Sequence, residues 1–167
     1  LLYGAQKAMV ETLLATYARR GWVDGVALRP SGIVARDGAD AGLKTAFLSR
    51  LFYALQRGQD ITLPVAPDGT TWLSSVGVVA QNFAHAALLA DLGPRRVLTL
   101  PALRVRFDAL VAALRDTFPH SPAQVSYDPD PAIMAAFGRH PPLLTPAAEA
   151  LGLRRDANAR ALVRAAF

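Results

Sequence analysis

Apolar residues recur at helical spacing from the start of the chain. Ala5, Met9, Leu13 and Tyr17 fall four apart, and Val10 and Leu14 widen the stripe. The pattern predicts an amphipathic helix over 3–20. Arg19-Arg20-Gly21 stops it, with cations at the carbonyl end and a glycine free to take positive φ. Val26-Ala27-Leu28 then reads as a short buried strand closed by Arg29-Pro30, because proline has no N–H for a ladder. Ser31 to Gly38 reads as a loop that admits a short extended piece. Phe47, Leu48, Leu51, Phe52 and Leu55 predict a second helix over 41–57, and Ile61-Thr62-Leu63 a strand. Pro67-Asp68-Gly69 is turn chemistry, Thr70 to Leu73 resumes extended structure, and Ser74 or Ser75 caps a helix expected over 76–92. A strand at 97–100, a helix at 105–118, an edge strand at 124–127 and short helices near 133–137, 146–151 and 157–166 complete the pattern. Strands alternating with helices indicate an α/β class.

At 167 residues, just over half of them hydrophobic, the chain is long enough for one domain with its own core. It has no cysteine, which excludes disulfides and thiolate metal sites. No apolar run approaches the ~20 residues that cross a bilayer, and no signal peptide is visible, so no membrane partner and a cytoplasmic setting are expected. The net charge of +5 is carried by scattered arginine pairs with no interleaved aromatic platform, and no nucleic acid partner is expected. His85, His120 and His140 lack paired-ligand spacing, so no metal is expected and His85 is read as structural.

The first helical turn carries the strongest chemistry. Tyr3 and Lys7 stand four residues apart and therefore share a helix face. A free tyrosine titrates near ~10, and a neighbouring cation favours its phenolate. The pair is thus a candidate general acid/base for a substrate oxygen, in competition with an ordinary packed tyrosine beside a solvated lysine. The chain contains two lysines, Lys7 and Lys44, against sixteen arginines, which makes a lysine at this offset less of a coincidence.

Three segments together resemble the C-terminal half of the extended short-chain dehydrogenases/reductases, the NAD-dependent epimerase/dehydratase family. Tyr3-Gly4-Ala5-Gln6-Lys7 is similar to the family's Tyr-x-x-x-Lys. Leu28-Arg29-Pro30-Ser31-Gly32-Ile33-Val34 is similar to its Leu-Arg-Pro segment, and Pro67 to Val76 falls where the family has a substrate-side strand and the following helix. The resemblance implies a Rossmann-type NAD(P)-binding core, remnant in 1–36 and about 70–100, with a small substrate-binding subdomain in about 37–69 and 101–167. It implies that Tyr3 and Lys7 are catalytic and contact NAD or NADP, with Pro30, Ser31, Gly32 and Ile33 against the nicotinamide. Gly32, Arg36, Thr71 and Trp72 are the implied substrate contacts. A homodimer through the helix of Tyr3 to Arg20 is implied as well.

The departures shape the expected function. No Gly-x-Gly-x-x-Gly occurs, so the pyrophosphate cradle is not in this chain, and cofactor binding is expected only with a preceding N-terminal half. The chain also begins at Leu1, which fits a C-terminal part or a processed product. Thr71-Trp72-Leu73 stands where nucleotide-sugar members carry a diphosphate-gripping arginine, and threonine cannot supply a bidentate contact. A small sugar acid is therefore the expected substrate. A nucleotide-sugar epimerase/dehydratase and a catalytically silent binding module are the alternatives.

Overall fold

Between Leu2 and Arg19 the sequence offers no proline and, beyond Gly4, no glycine, and it forms one continuous helix, α1 (Leu2–Arg19). Gly21 ends it at φ 70°, with its N–H donating to the Ala18 carbonyl (3.0 Å) and Trp22 N–H returning to Tyr17 (3.1 Å). The computed structural model describes residues 2–35 and 46–167. After α1 come β1 (Ala27–Arg29), β2 (Gly32–Val34), α2 (Ala46–Arg57), β3 (Ile61–Leu63), β4 (Thr70–Ser75), α3 (Val76–Leu88) and β5 (Val97–Thr99). The chain continues through β6 (Leu103–Arg106), α4 (Phe107–Thr117), β7 (Val125–Tyr127), α5 (Pro131–Phe137), α6 (Pro146–Ala150) and α7 (Ala159–Arg164).

The described strands form three small sheets. β1 pairs with β5 and β3 with β7, both parallel, while β4 lies between parallel β2 and antiparallel β6. A larger core gathers Phe47, Leu51, Phe52 and Leu55 of α2 with Leu73, Val105, Phe107, Leu110, Leu114 and Leu162. A smaller one joins Val79 and Ala86 of α3 to Leu98, Leu100, Ala148 and Leu153, with Val26, Leu28 and Ile33 against it. One face of α3 also clamps the segment after α6. Ser75 caps α3 through Val78 N–H (3.2 Å) and donates its hydroxyl to buried Asp156 (2.8 Å), whose other oxygen accepts Ser75 N–H (2.9 Å). Asn82 exchanges two hydrogen bonds with the Arg154 backbone, and His85 Nε2 lies 2.8 Å from the Leu151 carbonyl oxygen, a structural position.

Several elements differ from the sequence pattern. Residues 103–106 form a strand rather than the approach to a helix. Leu103 and Val105 are buried while Arg104 and Arg106 are exposed, and this period of two pairs with β4, so α4 begins at Phe107. α3 stops at Leu88, four residues short of the expected end, because Asp91 accepts from Gly93 N–H (2.7 Å) and fixes a turn there. The short extended piece admitted after Pro30 is β2, as expected, whereas β4 extends through Ser75. The expected start of the second helix, residues 41–45, lies outside the described residues. Among the described residues no helix is long and apolar enough to cross a membrane.

Candidate active site

Tyr3 and Lys7 converge on α1. The Lys7 ammonium nitrogen lies 5.4 Å from the centre of the Tyr3 ring. Both side chains are open to solvent, Tyr3 at 70 % exposure, and neither is hydrogen-bonded among the described residues. The next residue of the same row is Glu11, and it fixes where the pair sits. Its carboxylate accepts a fork from Arg29, with Nε donating to Oε1 at 2.7 Å and Nη2 to Oε2. This charge-assisted bond holds the Glu11 carboxyl below the usual carboxylate range, and it raises the Arg29 guanidinium in turn.

The direction of α1 follows from two contacts. Leu14 lies against Gly25, where an added Cβ would meet its Cδ1 at 3.0 Å, and Glu11 grips Arg29. A step back along the helix thus matches a step forward along the strand, so the two run antiparallel. Lys7 lies one turn, about 6 Å, further back along the axis from Glu11, toward the helix N-terminus. No hydrogen bond joins the sequence-predicted pair to the sequence-predicted loop among the described residues.

Beyond Pro30 the loop is held from the other side. Ser31 Oγ and Ser74 Oγ are 3.1 Å apart, linking the loop to β4. The missing side chain of Gly32 is used by the protein itself, because a Cβ there would meet the Trp72 carbonyl oxygen at 3.0 Å and Leu73 Cδ2 at 3.2 Å. Gly32 is thus a close-packing position against β4. Ile33 packs against the smaller core. Thr71 and Trp72 occupy opposite faces of β4. Thr71 is buried on the side of Leu73, while Trp72 lies on the other face. Trp72 is half-buried, its indole donating to the Pro141 carbonyl (2.8 Å) and its ring meeting His140 edge-on, with ring centres 4.5 Å apart. Arg36 lies outside the described residues.

Sequence reasoning missed Arg104, which stands directly across from Trp72 in the β4–β6 register. Its signal was present in Leu103-Arg104-Val105-Arg106, a strict alternation that the helical spacing from Val105 onward masked. Among the described residues no three His, Asp or Glu side chains gather as a metal site.

No family model matches the chain. It is 34 % identical over 167 residues to a D-erythronate dehydrogenase of Cupriavidus necator, covering 98 % of this chain and 52 % of that protein. It is 35 % identical over 114 residues to one of Haemophilus influenzae, covering 67 % of this chain and 36 % of that protein. Among solved structures, a nucleoside-diphosphate-sugar epimerase of Agrobacterium tumefaciens superposes with a TM-score of 0.85 at 30 % identity, over 96 % of this chain and 48 % of that one. The chain thus spans about half the length of the Cupriavidus necator relative and about a third of the Haemophilus influenzae one.

Proposed function

We propose, on the premise that this chain belongs to the NAD-dependent epimerase/dehydratase family of extended short-chain dehydrogenases/reductases, that it carries the proton-transfer site of a dehydrogenase acting on a small sugar acid such as D-erythronate. What supports this reading is the row Tyr3–Lys7–Glu11, held to β1 by the Glu11–Arg29 fork; in it the phenol and the ammonium face Pro30-Ser31. Tyr3 Oη takes the proton of the substrate hydroxyl being oxidised. Lys7 holds ribose hydroxyls of the cofactor, and Pro30, Ser31, Gly32 and Ile33 form the wall behind the nicotinamide. The residues present fit the nicotinamide end of NAD or NADP and not its pyrophosphate end, since the chain has no glycine-rich phosphate loop. When bound, the nicotinamide supplies the hydride acceptor. Trp72 presents its ring at the substrate side.

A nucleotide-sugar substrate is the second reading, favoured by the epimerase of Agrobacterium tumefaciens. The buried Thr71 speaks against it, because it offers no fork for a diphosphate. We further propose that α1 packs against its mate in a homodimer, as its exposed Met9, Val10 and Leu13 would allow.

A chimera joining the unmatched part of the Cupriavidus necator relative to this chain tests the function. Reduction of NAD or NADP is followed with D-erythronate, other four-carbon hydroxy acids and a UDP-sugar. Cofactor reduction with a sugar acid is the expected result. Turnover of the UDP-sugar alone would favour the second reading, and no turnover by a folded, cofactor-binding chimera would favour a silent binding module.

A further inference from the structure

The outer face of β4–β6 ends in a corner built from Trp72, Arg104, Thr70 and His140. Arg104 Nε donates to the His140 carbonyl (2.8 Å) and its Nη2 lies 3.4 Å from Thr70 Oγ1, which itself donates to the same carbonyl (2.9 Å). The guanidinium is thereby held in place while its remaining N–H groups stay open. Its neighbour Arg106 is neutralised by Asp108, whereas Arg104 has no carboxylate partner among the described residues. Beside it the His140 ring leans edge-on against Trp72, and its Nδ1 is buried with no hydrogen-bond partner. A buried polar atom without a partner is costly, and here it lies next to a fixed, unpaired cation.

The corner also lies on the strand whose Ser74 meets Ser31 of the Pro30 loop. Ser74, which meets Ser31 beside Pro30, shares its face of β4 with Trp72, two residues and about 7 Å away.

The geometry points to this corner as the subsite that recognises the substrate's carboxylate, with Arg104 as the specificity-determining cation and Trp72 as the apolar wall, the His140 ring backing the indole. The inference rests on the sugar-acid reading above and deepens it. Carboxylate recognition by a planar fork explains why a neutral polyol of the same length would be refused.

Binding is measured on the isotope-labelled, unsubstituted chain by NMR, with sodium D-erythronate and erythritol as probes. The expected result is a saturable shift of the Trp72 indole, Arg104 Nε and His140 ring signals with the acid and not with the polyol, while the Trp22 indole stays still. Arg104→Gln should weaken binding by about tenfold to a hundredfold, the worth of a charge-assisted contact. Because Arg104 also holds the His140 carbonyl, Arg104→Lys serves as the second variant, keeping charge but losing the fork, and should bind at an intermediate level. Equal shifts with acid and polyol, or none at the three signals, would overturn the assignment. This titration involves neither hydride transfer nor Tyr3. Acid-specific binding here alongside an inactive chimera would spare the corner, and a chimera that oxidises D-erythronate beside a silent corner would remove the corner alone.

Discussion

Glu11 is the side chain on which the placement of Tyr3 and Lys7 depends, since no residue of α1 is buried and the Arg29 fork ties it to β1. Glu11→Gln removes the charge from that fork, and amide exchange along α1 should quicken while α4 is unaffected. The pH dependence follows from the same bond. The folded carboxyl titrates below its ordinary value of about 4.3, so its contribution is complete above that pH and is lost as pH falls through the lowered folded value. Protection of α1 should therefore be flat across neutral pH and fail only in acid. At the N-terminus of α3, Asp156→Ala leaves the buried Ser75 N–H and hydroxyl without their acceptor, at a cost of about 1–3 kcal/mol readable by urea denaturation. The partners at this scale were not legible in the sequence. Tyr3 and Lys7 could be paired from their spacing, but Glu11–Arg29, Ser75–Asp156 and Trp72–Arg104 join residues 18 to 81 positions apart, or across a strand pair that the pattern did not reveal.

Elements with a single strong period were legible, and those with two competing periods were not. α2 declares itself because its apolar positions all enter one core, where Leu51, Phe52 and Leu55 have no exposed surface. β6 was hidden because its alternation runs straight into the helical spacing of α4. The contrast between α1 and α2 gives a direct stability test. Leu51→Ala should cost about 2–5 kcal/mol, as a cavity in a filled core does. Met9→Ala, on a helix whose apolar stripe faces solvent, should stay within about 0.5 kcal/mol. The sequence showed that α1 has an apolar stripe but not whether anything covers it, because periodicity marks a face without identifying its neighbour.

At the scale of the whole molecule, two apolar cores are joined through β2 and β4, and the candidate site lies at their junction, where Ser31 meets Ser74. The exposed row on α1 and the two-stranded β1–β5 sheet leave apolar surface and strand edge open, which favours association. Sedimentation should show self-association that Met9→Glu with Leu13→Glu abolishes, and a monodisperse monomer without those changes would count against it. The family and the α/β class were readable because three short segments kept their order and spacing, while the corner proposed as the substrate side was not, because it is assembled from β4, β6 and the segment at Arg139-His140 that bridges to Thr70. The most direct measurement of the central claim is the turnover and cofactor affinity of Tyr3→Phe in the chimera. Loss of the proton acceptor should lower kcat by about 10²–10⁴-fold with the Kd for the nicotinamide cofactor unchanged. Undiminished turnover would contradict the role assigned to Tyr3, and with it the site built around that residue.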